Sequence, residues 1–274
     1  MRTYYPVLTI AGSDSSGGAG IQADIKTMSA IGCYAMSAIT SITAQNTTGV
    51  RSIMPVSPAV VTDQIEMVMT DIPPLAVKIG MLCNAEVADA VATCLSRYNP
   101  DNIIVDPVMV STSGSVLLEE DAVNVLVKKI FPLSTLVTPN LAEARALTGE
   151  TDLKRQIDRL REMGCRNILI KGGDSENNDF KIDYLYLGER EETLELRADA
   201  VDTKNTHGTG CTLSSAIASY LAVGNSLADA VRLGKLYVTH ALEEGSWVTT
   251  GKGHGPVNHF FSPRRLKNFN PNRR

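Results

Sequence analysis

The chain has no surplus of positive charge, no apolar run long enough to cross a bilayer, and no cysteine pair at metal or redox spacing. Its 26 Lys and Arg stand against 30 Asp and Glu, giving a formal net charge of -4 and a pI near 5.6. A duplex nucleic-acid binder would normally show a basic face, so that class is excluded. The longest apolar stretches have the length of strands, which excludes a transmembrane helix and a membrane partner. The apolar part of residues 1–12 is shorter than a secretory core and no small-residue cleavage site follows it, so a cytoplasmic location is expected. The five cysteines, Cys33, Cys83, Cys94, Cys165 and Cys211, are scattered and odd in number. They read as reduced thiols without a disulfide framework or a zinc site. Internal repeats and linker-like tracts are also missing. With 274 residues to build a core, a single domain over 1–261 is expected, followed by a basic, flexible tail over 262–274.

What is present is an alternation of short β-rich apolar runs with amphipathic helical stretches, the pattern of an α/β protein whose mostly parallel sheet is covered on both faces. Strands are predicted at 5–10, 35–44, 75–79, 103–105, 136–138 and 167–171. Helices are predicted at 19–31, 58–71, 85–97, 119–131, 141–147, 210–223 and 227–243. Gly32 and Gly149 stand where C-terminal helix glycines belong. Runs at 182–187 and 193–196 flank a charged turn and predict an antiparallel hairpin at the sheet edge.

The most informative segment is 205–212, Asn-Thr-His-Gly-Thr-Gly-Cys-Thr, where a polar stretch turns into a helix. A glycine-paired turn that opens a helix aims several unpaired N–H groups in one direction, and the helix dipole adds positive potential, so an anion is its natural guest. Cys211 lies in that nest, where its pKa is expected to fall. A cysteine-hydrolase reading with His207 finds no acyl-substrate signal beside it.

Near the N-terminus, 10–20 form a flexible, hydroxyl-rich loop between strand and helix, suited to a small polar ligand. It fails as a Walker A loop because Gly18, not lysine, follows Gly17. Gly18-Ala19-Gly20-Ile21-Gln22-Ala23 fits the dinucleotide pattern, yet no acid stands at the end of the next strand. Asp24 sits beside the apolar stripe of Ile21, Ile25, Met28 and Ile31. It is either a helix-dipole residue or, as a partly buried carboxylate needing a partner, a ligand clamp with Gln45 for a nitrogen heterocycle bearing an amine. Asp106 ends a strand, and Glu143 starts a helix at the third position after Asn140. Such oxygens suit a Mg²⁺ that keeps most of its waters, and Asn140 with Glu143 also reads as a capping box. Lys171, at a strand end, is a candidate for phosphate oxygens or a plain exposed lysine.

Together, residues 8–24, 105–109, 138–143 and 207–212 resemble the ribokinase-like superfamily, and within it the hydroxymethylpyrimidine/phosphomethylpyrimidine kinases of thiamine biosynthesis. The resemblance implies a ribokinase-like three-layer α/β/α sandwich, and an enzyme that uses ATP and Mg²⁺ to phosphorylate 4-amino-5-hydroxymethyl-2-methylpyrimidine and then its monophosphate. It implies a pyrimidine site of Gly12, Asp24, Gln45, Met81 and Val108. Asp106, Asn140 and Glu143 would organise the metal, and Lys171, Thr206 and Thr209 would face the nucleotide. Gly208, Gly210 and Cys211 would hold the moving phosphoryl group, with Cys211 deprotonating or orienting the substrate hydroxyl where sugar kinases carry Asp. Thr112 replaces a lysine that some relatives carry over the phosphates, leaving Lys171 or Lys235 to supply the charge. A homodimer is expected, with 182–196 as a contact. The rival readings are a pyridoxal kinase of the same superfamily, a non-catalytic pyrimidine-binding protein and, third, a dehydrogenase.

Overall fold

In a computed structural model the chain is described over residues 2–109, 119–172 and 179–271. The strands are β1 (Thr3–Tyr4), β2 (Pro6–Asp14), β3 (Tyr34–Asn46), β4 (Gly49–Pro55), β5 (Ala76–Ile79), β6 (Ile103–Val105), β7 (Leu136–Val137), β8 (Asn167–Ile170), β9 (Phe180–Leu187), β10 (Glu192–Asp199) and β11 (Asn268–Phe269). The helices are α1 (Gly20–Ile31), α2 (Pro58–Asp71), α3 (Ala85–Tyr98), α4 (Glu120–Val125), α5 (Leu141–Thr148), α6 (Leu153–Glu162), α7 (Thr209–Ala222) and α8 (Leu227–Glu243).

Nine strands form one sheet in the order β10-β9-β8-β7-β6-β5-β2-β3-β4. Neighbours from β8 to β3 are parallel, while β4, β9 and β10 join antiparallel. Successive strand residues point to opposite faces, so both faces of a central strand must be apolar. Leu8, Val77 and Val137 point into one core, packed with Val61 and Ile65 of α2 and Val91 and Leu95 of α3. Val7, Ala76 and Leu136 point into the other, against Met28 of α1, Ile217 of α7 and Val231 of α8. The result is the expected three-layer α/β/α sandwich with an antiparallel hairpin at one edge.

The carboxyl ends of the parallel strands gather on one edge of the sheet. Chain order reverses between β2 and β5, and the crevice outside such a switch point is where open α/β sheets bind ligands. Gly32 and Gly149 adopt the left-handed conformation at helix ends, as predicted. The helix predicted over 119–131 is shorter: α4 gives way to a π-helical segment, Leu126–Ile130, and a tight turn containing Pro132.

The tail departs from expectation. Rather than hanging free, β11 pairs antiparallel with β1, the backbone N–H groups of Arg264 and Lys267 donate to the carbonyls of Ala30 and Gly32, and the Phe269 ring sits 4.6 Å from that of Tyr5. Arg264, Arg265 and Lys267 lie on a segment anchored through backbone and aromatic contacts, which composition does not reveal.

Candidate active site

Every candidate site residue except Asp24 lines one cleft of about 640 Å³ at the carboxyl edge of the sheet. Gly12, Gln45, Met81 and Val108 lie at one end. Asp106, Asn140, Glu143 and Lys171 lie along its side, and Thr206, Gly208, Thr209, Gly210 and Cys211 form the turn that opens α7. The slot continues past Lys235 and Asp183 to Val201, Val238 and Leu242, an apolar extension with polar edges. Ser111 to Gly114, where the lysine substitution was noted, lie outside the described residues.

The α7 turn depends on glycine. Gly208 caps the helix with φ 84°, and a Cβ there would stand 1.8 Å from the carbonyl oxygen of Gly18. The two glycine-rich loops therefore touch backbone to backbone. In the first turn of α7, Gly210 and Cys211 have no helical carbonyl to bond, which leaves donors aimed at the cleft.

Asp14 clips these loops together, a role the sequence did not suggest. Its Oδ1 accepts from Ser16 N (2.8 Å) and Ser16 Oγ (2.7 Å), and its Oδ2 from Gly18 N (3.1 Å) and Ala19 N (2.8 Å). His207 Nε2 lies 2.8 Å from the same Oδ2. Burial alone would raise the carboxyl pKa, but these hydrogen bonds, His207 foremost, outweigh it and hold the pKa at about 2.

Asp24 corrects the sequence reading. Its side chain is fully buried and takes no part in lining the cleft. Lys78 Nζ donates to both carboxylate oxygens at 2.9 Å, Thr9 Oγ1 to Oδ2 at 2.6 Å, and Ser215 Oγ to Oδ1 at 2.6 Å. With its acceptors occupied beneath the floor, Asp24 does not reach a heterocycle. The partner is Lys78, a fully buried lysine that does border the cleft. Burial opposes its charge, yet Asp24 more than restores it and raises its pKa. A lysine inside the apolar run Ala76-Val77-Lys78-Ile79 was the available signal.

Cys211 also departs from expectation. The thiol faces the cleft, but desolvation by the surrounding protein dominates. Lys78 pulls its pKa down while Asp24 and Asp106 push it up, and it stands at about 11. The nest does not make a thiolate here.

A second ion-pair group lies beside the turn. Lys171 Nζ donates to Asp106 Oδ1 at 2.7 Å and stands 3.8 Å from Glu143 Oε2. Thr138 Oγ1 donates to the same Asp106 oxygen at 3.2 Å. The capping box is present: Glu143 N donates to Asn140 Oδ1 (2.7 Å) and Asn140 N to Glu143 Oε2 (2.8 Å). Asn140 thus uses one lone pair of its side-chain oxygen on the helix and holds Glu143 in place, and the capping role read from the sequence is present beside the proposed part in organising the metal. Burial raises the Glu143 pKa, Lys171 lowers it and Asp106 raises it, with a net upward shift. Lys235 Nζ donates to Asp183 Oδ2 at 2.6 Å, and Asp183 Oδ1 accepts from Gly172 N, so this lysine enters the cleft already paired.

The fold agrees with comparisons to known proteins. A family described as phosphomethylpyrimidine kinase matches residues 14–258. A hydroxymethylpyrimidine/phosphomethylpyrimidine kinase of Rhizobium meliloti is 45% identical over 259 residues, covering 92% of this chain and 96% of that protein. The thiamine biosynthesis bifunctional protein ThiED of Geobacter sulfurreducens is 46% identical over 95% of this chain, which spans 53% of that longer protein. Among solved structures, phosphomethylpyrimidine kinase from Clostridium difficile superposes with a TM-score of 0.76 at 44% identity, covering 86% of this chain and 99% of that one. The pyridoxal kinase from Staphylococcus aureus in complex with AMP-PCP and pyridoxal superposes with a TM-score of 0.85 at 33% identity, covering 94% of each chain.

Proposed function

Since this chain belongs to the phosphomethylpyrimidine kinase family, we propose that its cleft holds 4-amino-5-hydroxymethyl-2-methylpyrimidine at the Gln45 end and ATP along the Lys235 end, and transfers the γ-phosphoryl group between them. The monophosphate then accepts a second phosphoryl group to give the diphosphate. The observation that carries this reading is a single cleft joining a heterocycle-sized end (Gly12, Gln45, Met81, Val108) to an anion-binding helix start (Gly208, Gly210, Cys211).

Phosphoryl transfer asks mainly for in-line positioning and for donors to the charge on the transferred oxygens. As the substrate oxygen bonds to the γ-phosphorus, the bond from that phosphorus to the β–γ bridging oxygen breaks, the hydroxyl proton passes to solvent water and ADP leaves. The N–H groups at the start of α7 face the transferred oxygens, with Lys171 and Lys78 adding positive potential from the side and floor. Cys211 orients the acceptor hydroxyl rather than taking its proton early, because its thiol stays protonated at neutral pH. Thr206 and Thr209 offer hydroxyls to the nucleotide phosphates, and Val201, Val238 and Leu242 give an apolar bed for its base.

The residues also fit a magnesium ion. Among the described residues no group of three or more His, Cys, Asp and Glu is placed to hold a metal, so the protein would supply Asp106 and Glu143, with water and phosphate filling the other positions. Glu143, pushed toward its neutral form by burial and Asp106, is a carboxylate that a cation would relieve. Bound magnesium would neutralise charge on the nucleotide phosphates. The homodimer belongs to the same proposal, and a monomer mass by light scattering would overturn it.

A second reading, pyridoxal phosphorylation, is favoured by the pyridoxal kinase superposition. ADP release measured with each alcohol in parallel decides between them. The proposal expects the pyrimidine to give the higher kcat/KM, and a higher value for pyridoxal would overturn it.

A further inference from the structure

Gln45 closes the heterocycle end of the cleft, and its neighbours restrict which way round its carboxamide can sit. Oε1 lies 3.2 Å from Thr43 Oγ1, and Nε2 lies 3.5 Å from His207 Nε2. Both neighbours are already committed. The Thr43 hydroxyl donates its one proton to the carbonyl of Ser13 at 2.7 Å, so toward Gln45 its oxygen can only accept. His207 Nε2 lies 2.8 Å from Asp14, whose carboxylate stays ionised and can only accept. That ring nitrogen therefore carries a proton and cannot accept from an amide.

An oxygen facing Thr43 and an NH₂ facing His207 would set acceptor against acceptor and donor against donor. A half-turn of the carboxamide leaves the heavy-atom outline unchanged, lets the amino group donate to Thr43 Oγ1, and removes the donor–donor contact at His207, whose proton stays on Asp14. The geometry points to Thr43, His207 and Asp14 as positioning residues that lock Gln45 with its amino end toward Thr43 and its carbonyl end toward the 207–208 turn. Asp14 acts at one remove, by fixing the proton on His207. The same carboxylate holds the glycine loop, so the phosphoryl-binding turn and the heterocycle end share one anchor.

The consequence is selectivity, and it rests on the aminopyrimidine reading of the cleft. A locked carboxamide keeps one N–H and one oxygen lone pair for the ligand, side by side. An amine next to a ring nitrogen meets both, as Gln and Asn meet the adenine edge. Pyridoxal has no amine beside its ring nitrogen. A site built around paired polar groups discriminates against a ligand that leaves them unpaired.

Two experiments test this. In the unaltered protein, NOEs from the Gln45 NH₂ should be stronger to the Thr43 methyl than to the His207 ring protons, and the reverse order would overturn the assignment. By calorimetric titration without nucleotide, Thr43→Val should weaken the aminopyrimidine alcohol by about tenfold, the scale of one lost hydrogen bond. It should leave pyridoxal within about twofold, and Thr43→Ser should bind like the parent. Unchanged aminopyrimidine affinity in Thr43→Val, or equal loss for both ligands, would overturn the inference. Failure of the aminopyrimidine to bind the unaltered protein would instead overturn the functional reading on which it rests.

Discussion

Asp14 shows how one side chain can govern a site although its place in a motif does not reveal its role. Two oxygens serve five donors, and replacing one oxygen by an NH₂ in Asp14→Asn would point a donor at donors. The expected cost is about 1–3 kcal/mol of stability at neutral pH, measured by denaturant titration. The folded pKa of about 2 lies below the usual carboxylate value, so the stabilisation is fully present above about pH 4 and fades as pH falls through 2. The gap between parent and variant should therefore narrow in acid, and a constant gap would contradict the assignment. At Cys211, a thiol pKa of about 11 sets a different expectation. Iodoacetamide should label it slowly at pH 7 and faster as pH rises toward 11, with the other four cysteines buried. Rapid labelling at pH 7 would restore the activated-thiolate picture. Cys211→Ala should lower kcat by about 10²-fold with little change in KM, the signature of lost alignment. The motif around Cys211 was legible in the sequence; its protonation state was not. That depends on Lys78, Asp24 and Asp106, which come together only when β2, β5, β6, α1 and α7 pack.

At the scale of elements, β5 carries the main test. Lys78 and Asp24 are 54 positions apart and form a buried pair between a strand and a helix. Removing one partner leaves a charge buried without its counterion, so Lys78→Met should cost about 3–5 kcal/mol in chemical denaturation. Lys78→Met with Asp24→Asn should recover much of that loss, and equal destabilisation by the single and double variants would contradict the account. Strong apolar periodicity made β2, β5, β6, α2 and α8 readable to within a few residues. Among the elements that escaped, β4 and α6 did so for physical reasons. The edge strand β4 is short and mostly exposed, so it lacks an apolar signature. Helix α6 buries only Gln156, Ile157 and Leu160 amid charged neighbours, although Asp152 caps it in the ordinary way. Asp24 was misread because helical periodicity places a side chain on a face without saying what lies opposite. Here that is a lysine-bearing strand beneath the cleft.

For the molecule as a whole, the tail changes the picture of where the domain stops. Removing residues 264–274 would strip β11 from β1 and the Phe269 ring from Tyr5, on the far side of α1 from its cleft-facing start. The expected result is a loss of about 1–3 kcal/mol in stability with kcat and KM nearly unchanged, since no described tail residue lines the cleft. A truncated chain as stable as the parent would return the segment to the flexible tail that composition suggested. Sheet order, by contrast, was not readable from one sequence, because it depends on which strands pair across long connections. The order that forms puts the 10–20 loop, the Asp106 strand end and the α7 turn around one cleft.

The most direct test of that arrangement is mass analysis of products after the chain is incubated with ATP, Mg²⁺ and 4-amino-5-hydroxymethyl-2-methylpyrimidine. The account expects the monophosphate to form first and the diphosphate to follow from it. Recovery of the unmodified alcohol, with the same preparation phosphorylating pyridoxal instead, would contradict it.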